Sequence, residues 1–167
     1  LTRPQRGVRI KEQYLHGAEV IIALDVSNSM LAEDYTPNRL ERAKLAISKV
    51  TENLQEDRIG LIVFAGVPDV RIPLTSDYIS AKMFLNSIST RSIPIQGTAI
   101  GAAIDLAVES FSEESDKSRA VIVITDGENH EDNAVASARN AVAQGVRVFT
   151  IGVGSEQGEI IPLPEGG

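Results

Sequence analysis

The chain of 167 residues contains no cysteine and no tryptophan. Without thiols there can be no disulfide, no thiolate zinc site and no cysteine nucleophile. Three Tyr and four Phe offer few platforms on which bases could stack. The formal net charge of −7 has the wrong sign for a face that must displace counterions from a phosphate backbone. Nucleic acid is therefore not the expected partner. The two histidines, His16 and His130, stand far apart, so any metal is expected to be bound through oxygen. Long hydrophobic runs are missing as well: Val20–Leu24 and Ala120–Ile124 are strand-sized, against the ~18 residues of a membrane span. The first 17 residues lack the apolar centre of a cleavable signal peptide.

What is present is the composition of one globular domain. Hydrophobic residues make up 43% and charged residues 23% of the chain, enough apolar surface to offset the entropy of ordering it. Four runs, Glu19–Val26, Arg58–Ala65, Arg119–Asp126 and Val146–Val153, are apolar and β-branched without clean alternation. Such runs belong to a parallel sheet covered on both faces. A weaker run, Val70–Leu74, follows the second after a short turn, which predicts an antiparallel edge strand where Pro73 is tolerable. Helical periodicity appears in Leu40, Ala43, Ile47, Val50 and Leu54, and in Ala81, Phe84, Leu85 and Ile88 after the cap candidate Ser76-Asp77. It recurs in Ile100, Ala103, Ile104, Ala107 and Phe111, and in Ala134, Val135, Ala138, Ala141 and Val142 before Gly145. The alternation β-α-β-β-α-α-β-α-β predicts a doubly wound α/β domain with strand order 3-2-1-4-5 and helices on both faces.

In open α/β sheets ligands bind beyond the carboxyl ends of the strands. Here the first run leads straight into Asp25-Val26-Ser27-Asn28-Ser29, and another ends in Thr125-Asp126-Gly127. The loop Gln96-Gly97-Thr98 opens the third helix. Two carboxylates and three hydroxyls from three loops make a hard oxygen site suited to Mg²⁺, which keeps several waters and stays electrophilic toward another anionic oxygen. Each piece also has an ordinary structural reading. Asp-x-Ser-x-Ser can form local turns, Thr98 can cap a helix, and Asp126-Gly127 can be a simple turn. The convergence of three loops favours the metal.

Asp25-x-Ser27-x-Ser29, Thr98 and Asp126 resemble the metal-ion-dependent adhesion site of the von Willebrand factor A family. The stretches SNSMLAEDYTPNRLERAK, DRIGLIVFAG, PLTSDY, QGTAIGAAI, ITDGENHED and IGVGSEQG resemble the Bat-type proteins of bacterial aerotolerance operons, over about 18–167. The resemblance implies a Rossmann-like fold and a site in which Ser27 and Ser29 coordinate the metal directly. Thr98 would do so directly or through water, and Asp25 and Asp126 mainly through water. It implies Mg²⁺, with Mn²⁺ and Ca²⁺ as alternatives, and a partner protein offering a Glu or Asp carboxylate. It also implies an extracytoplasmic domain anchored to the membrane by segments outside this chain, although Arg3, Arg6, Arg9 and Lys11 weakly favour the cytoplasm. Residues 1–17 would then be an N-terminal extension following an anchor, and 18–167 the A domain lacking its last strand and helix. Asn28 departs from the family's usual Gly, which Asn's tolerance of left-handed backbone would accommodate.

The competing function is metal-dependent phosphoryl transfer with Asp25 as nucleophile. Against it, Ser27 stands where such enzymes usually carry an acid, and the three loops hold no Lys or Arg. No phosphate-binding Gly-Lys-Ser/Thr loop is present, and Gly152, Gly154 and Gly158 miss the dinucleotide spacing. His130 with Glu128, Glu131 and Asp132 reads as a solvated acidic loop before the fourth helix. Glu33, Asp34 and Tyr35 follow Ser29 closely enough to rim the metal and sort partners, a reading that exposed loop polarity explains equally well.

Overall fold

The computed structural model describes residues 17–34, 36–54, 56–112, 116–127 and 133–154. Five strands form one sheet: β1 (Glu19–Asp25), β2 (Arg58–Phe64), β3 (Pro68–Thr75), β4 (Arg119–Thr125) and β5 (Val146–Gly152). Their order is β3-β2-β1-β4-β5, with β3 antiparallel to β2 and the other pairings parallel. This is the doubly wound arrangement expected from the sequence. The helices are α1 (Arg39–Glu52), α2 (Tyr78–Ser87), α3 (Ile100–Ser110) and α4 (Ala134–Ala143), with short 3₁₀ segments at Asn28–Leu31 and Thr90–Ser92.

Period-two alternation sorts β1 between two cores. Val20, Ile22 and Leu24 pack with Leu40, Ala43 and Ile47 of α1 and with Ala81 and Leu85 of α2. Ile21 and Ala23 pack with Ala103, Ile104 and Ala107 of α3 and with Ala138 and Ala141 of α4. Burial of each Ile or Leu side chain contributes about 1.5–3 kcal/mol. The alanines let α3 and α4 lie close to the sheet. Caps fix the helix starts: the Asn38 side chain accepts the Glu41 N–H at 2.8 Å, Asp77 accepts that of Ser80, and Asn133 that of Ala136. The α3 cap position falls on Ala99, one residue after Thr98, and has no side-chain cap.

Strand β3 is longer than its apolar signal. It begins at Pro68, exposes Asp69, Val70 and Arg71 along the edge, and pairs Asp69 with Arg71 at 3.0 Å. Its ladder with β2 is irregular around Leu61. Among the described residues no helix is long and apolar enough to cross a membrane. Residues 1–16 of the extension expected at 1–17, and residues 155–167, fall outside the described residues, as do Tyr35 and the His130 loop.

Candidate metal centre

Strand β1 lies between β2 and β4: the chain runs from β1 to β2 and β3 on one side and then crosses to β4 and β5 on the other. The crevice beyond the ends of β1 and β4 is therefore the switch point of the sheet. Asp25 closes β1 in register with Phe64, and Val26 N–H donates to the Phe64 carbonyl at 2.8 Å. The loop leading to α3 is tied to the same end. Ala99 N–H donates to the Ala65 carbonyl at 2.8 Å, and Gly66 N–H to that of Ile95 at 2.7 Å. A Cβ on Gly66 would strike the Ile95–Gln96 backbone, so close approach requires glycine there.

Within this frame Asp25 is fully buried. Its Oδ1 accepts the Ser27 N–H at 2.8 Å and its Oδ2 the Thr125 hydroxyl at 2.7 Å. The Ser27 and Ser29 hydroxyl oxygens stand 3.0 Å apart, and the Ser29 hydroxyl donates to Asp126 Oδ2. Hydrogen bonds thus join Ser29 to Asp126 across 97 residues of chain and Asp25 to Thr125 across 100. Thr98 is buried on the third loop, which Gln96 holds by accepting the Asn28 N–H at 3.1 Å. Among the described residues Thr98 is brought up by that loop and not by a bond to the other four.

Burial pushes the Asp25 carboxyl above the ordinary carboxylate range, the nearby Asp126 charge adding to the effect, while bonds from Ser27 and Thr125 oppose it. A cation beside this carboxylate would relieve the strain of its charge. The hydroxyls suit that role. By giving its hydrogen to Asp126, Ser29 turns its lone pairs away from the carboxylate. The 3.0 Å spacing of the two serine oxygens matches the edge of an octahedron whose oxygens lie about 2.1 Å from its centre, the shell Mg²⁺ demands. The donor set therefore fits a hard divalent ion. Among the described residues no group of three His, Asp or Glu side chains forms a metal cage, so the hydroxyls are indispensable to the fit.

Three contributors were not singled out from the sequence: Thr125, Gln96 and Arg39. Arg39, the first residue of α1, donates from Nη1 to Asp126 Oδ2 at 3.4 Å and grips Asp34 through Nε at 3.0 and 3.2 Å. The motif loops carry no cation of their own, but α1 delivers one, so the argument from missing positive charge loses force. A cation on the first helical turn, where the helix dipole disfavours it, was the available signal. Asn28 begins a right-handed 3₁₀ turn, so left-handed tolerance is not what suits it to the position.

Fold, switch-point site and loop chemistry define a class, and the chain belongs to it: residues 20–128 match the von Willebrand factor type A domain. More particularly, it is 50% identical to BatB from Bacteroides thetaiotaomicron, whose crystal structure superposes with a TM-score of 0.80 over 90% of this chain and 82% of that one. An aerotolerance-related membrane protein from Bacteroides fragilis is also 50% identical, with a TM-score of 0.78 over 87% of this chain and 80% of that one. A protein of Borreliella burgdorferi is 31% identical over 153 residues, which are 88% of this chain and 45% of that protein. The chain spans about half the length of the curated relatives it matches.

Proposed function

We propose that the chain is a divalent-metal-dependent protein–protein interaction module. Asp25, Ser27, Ser29, Thr98 and Asp126 hold the metal, which is Mg²⁺ or one of its substitutes Mn²⁺ and Ca²⁺. The partner is a protein presenting a Glu or Asp carboxylate, within a bacterial membrane-associated stress or aerotolerance system, and the domain stands on the extracytoplasmic side. The observation that carries this reading is the hydroxyl–carboxylate chain, in which Ser29 donates to Asp126 while its oxygen lies 3.0 Å from that of Ser27. Similarity to two bacterial proteins, one described as an aerotolerance-related membrane protein, supports the setting.

Bound there, a divalent ion supplies a Lewis-acidic centre with room for one more anionic oxygen. The protein's own residues prepare the place. Asp25 fixes the Ser27 backbone and Thr125, Asp126 turns the Ser29 hydroxyl, and Gln96 ties the Thr98 loop to Asn28. Two carboxylates balance a divalent ion without over-neutralising it, so a partner carboxylate is still attracted despite the chain's charge of −7. The phosphoryl-transfer alternative needs Asp25 as an exposed nucleophile, whereas Asp25 is fully buried with both oxygens engaged.

The test compares native protein with Asp25→Ala, Ser27→Ala and Thr98→Ala in Mg²⁺ and in EDTA, reading melting temperature and partner capture from solubilised membranes. Binding to the folded state raises the melting temperature by mass action, so Mg²⁺ should stabilise native protein and leave Asp25→Ala unmoved. Equal capture under all conditions would place the partner on another face. A metal-dependent phosphatase activity lost in Asp25→Asn would favour the enzyme.

A further inference from the structure

Arg39 holds two carboxylates of unequal standing. Asp126, a member of the metal site, has a side chain with no exposure, while Asp34 is 40% exposed. The Arg39 side chain is 14% exposed and its guanidinium lies close to Gly154, where a Cβ would come within 2.7 Å of its Nε and Cζ. Its fork is committed mainly to Asp34, through Nε to both carboxylate oxygens and Nη2 to Oδ2 at 3.1 Å, and one nitrogen, Nη1, reaches Asp126. The oxygen it reaches is the same Oδ2 that accepts the Ser29 hydroxyl.

We propose that Arg39 is the resident counter-cation of this site, compensating Asp126 when no metal is bound, and that metal affinity is set by a contest between guanidinium and ion which Asp34 biases. The inference rests on the metal-site reading above. A buried carboxylate needs a compensating charge far more than a half-exposed one does, so Arg39 keeps Nη1 on Asp126 even while its fork holds Asp34. A divalent ion arriving at Ser27 and Ser29 places two positive charges near the guanidinium, and each cation disfavours the other. By linkage, whatever draws Arg39 away from Asp126 strengthens metal binding, and whatever commits it there weakens binding. Asp34 is the element that draws it away. Metal arrival is thereby coupled to the segment between Ser29 and α1 that carries Asp34.

Two substitutions then act in opposite directions. Arg39→Gln removes the competing charge and should bind Mn²⁺ about threefold to tenfold more tightly by calorimetry, the range expected for one partly exposed ion pair. Asp34→Asn frees the guanidinium to lean on Asp126 and should bind about twofold to threefold more weakly. Arg39→Lys keeps the charge but loses the fork and should fall between native and Arg39→Gln. In EDTA, Arg39→Gln should melt below native because the buried Asp126 side chain loses the Arg39 charge, and saturating Mg²⁺ should close that gap. A structural role for the triad would shift the affinity of both variants the same way. Should native protein bind Mn²⁺ while Arg39→Gln binds it equally or more weakly, the contest is refuted and the metal site stands. Failure of native and every variant to bind refutes the metal site and the contest together.

Discussion

At the N-terminal end of β1, Glu19 is fully buried and pairs with Arg58 at 3.1 Å, while Asp57 accepts the Ala18 N–H at 2.7 Å. At the C-terminal end, Asp25 and the side chain of Asp126 are also buried, and again one arginine is present, here on Asp126. Charge and burial are nearly matched, yet the donors differ in kind. At the lower end they are N–H groups of guanidinium and backbone, and Arg58 is further tied to the Leu74 carbonyl. A nitrogen that has donated has nothing left for a cation. At the upper end the donors include hydroxyls from Ser29 and Thr125, and a hydroxyl that has donated still carries lone pairs. On the proposed reading it is the hydroxyls, and not spare carboxylate oxygens, that set the upper end apart, because at the lower end Glu19 Oε1 and Asp57 Oδ2 are also buried without a hydrogen-bond partner.

The largest effect should come from Asp25→Asn, which keeps the shape of the upper end but removes one of its two buried charges. The Mg²⁺-induced rise in melting temperature should vanish, while melting in EDTA stays at or above native because a desolvated charge is gone. A retained metal response would show that Asp25 is only structural. Next, Arg58→Ala leaves Glu19 buried beside no cation and should cost about 2 kcal/mol in urea unfolding, reduced from a fully buried pair by the exposure of Arg58. Its Mg²⁺ response should be intact, and its loss would mean the two ends are coupled. Ser29→Ala should weaken Mn²⁺ binding severalfold while changing stability in EDTA by about 1 kcal/mol, the worth of one hydrogen bond. The smallest effect is expected far from both ends. The Asp77 carboxyl is held below the ordinary range by the Ser80 hydroxyl and N–H at the start of α2. Its stabilisation is present above the unfolded-state pKa and lost as pH falls through the folded one. Asp77→Asn should therefore flatten the acid limb of the stability profile slightly and leave metal binding alone.

Most of the fold was legible because its strands are buried on both faces. Each parallel strand ends one residue earlier than its apolar run predicts: Val26, Ala65, Asp126 and Val153 lie past the ladder. Three of these residues are apolar and Asp126 is not, but the backbone of all four already turns into loops. Strand β3 reads short in the sequence because Pro68 and Asp69 at its start and Thr75 at its end bring no apolar pattern to an exposed edge. The two 3₁₀ segments are too short to show a period. At the site, Asp25, Ser27, Ser29 and Asp126 were visible as polar residues at strand ends, and the fold joins them. Arg39 and Glu19 were not visible: the contact of Arg39 spans 87 residues, and Glu19 opens a strand where an exposed charge is ordinary.

The exposed margin of β3 bears on how such domains behave when crowded. A bare strand edge is a template on which another chain can zip, but this one carries Pro68, Pro73 and the Asp69–Arg71 pair. Both prolines lack the N–H that an added strand would use, and the charges oppose an apolar neighbour. Copies held side by side at high local concentration are thus protected from growing into a continuous sheet through this margin.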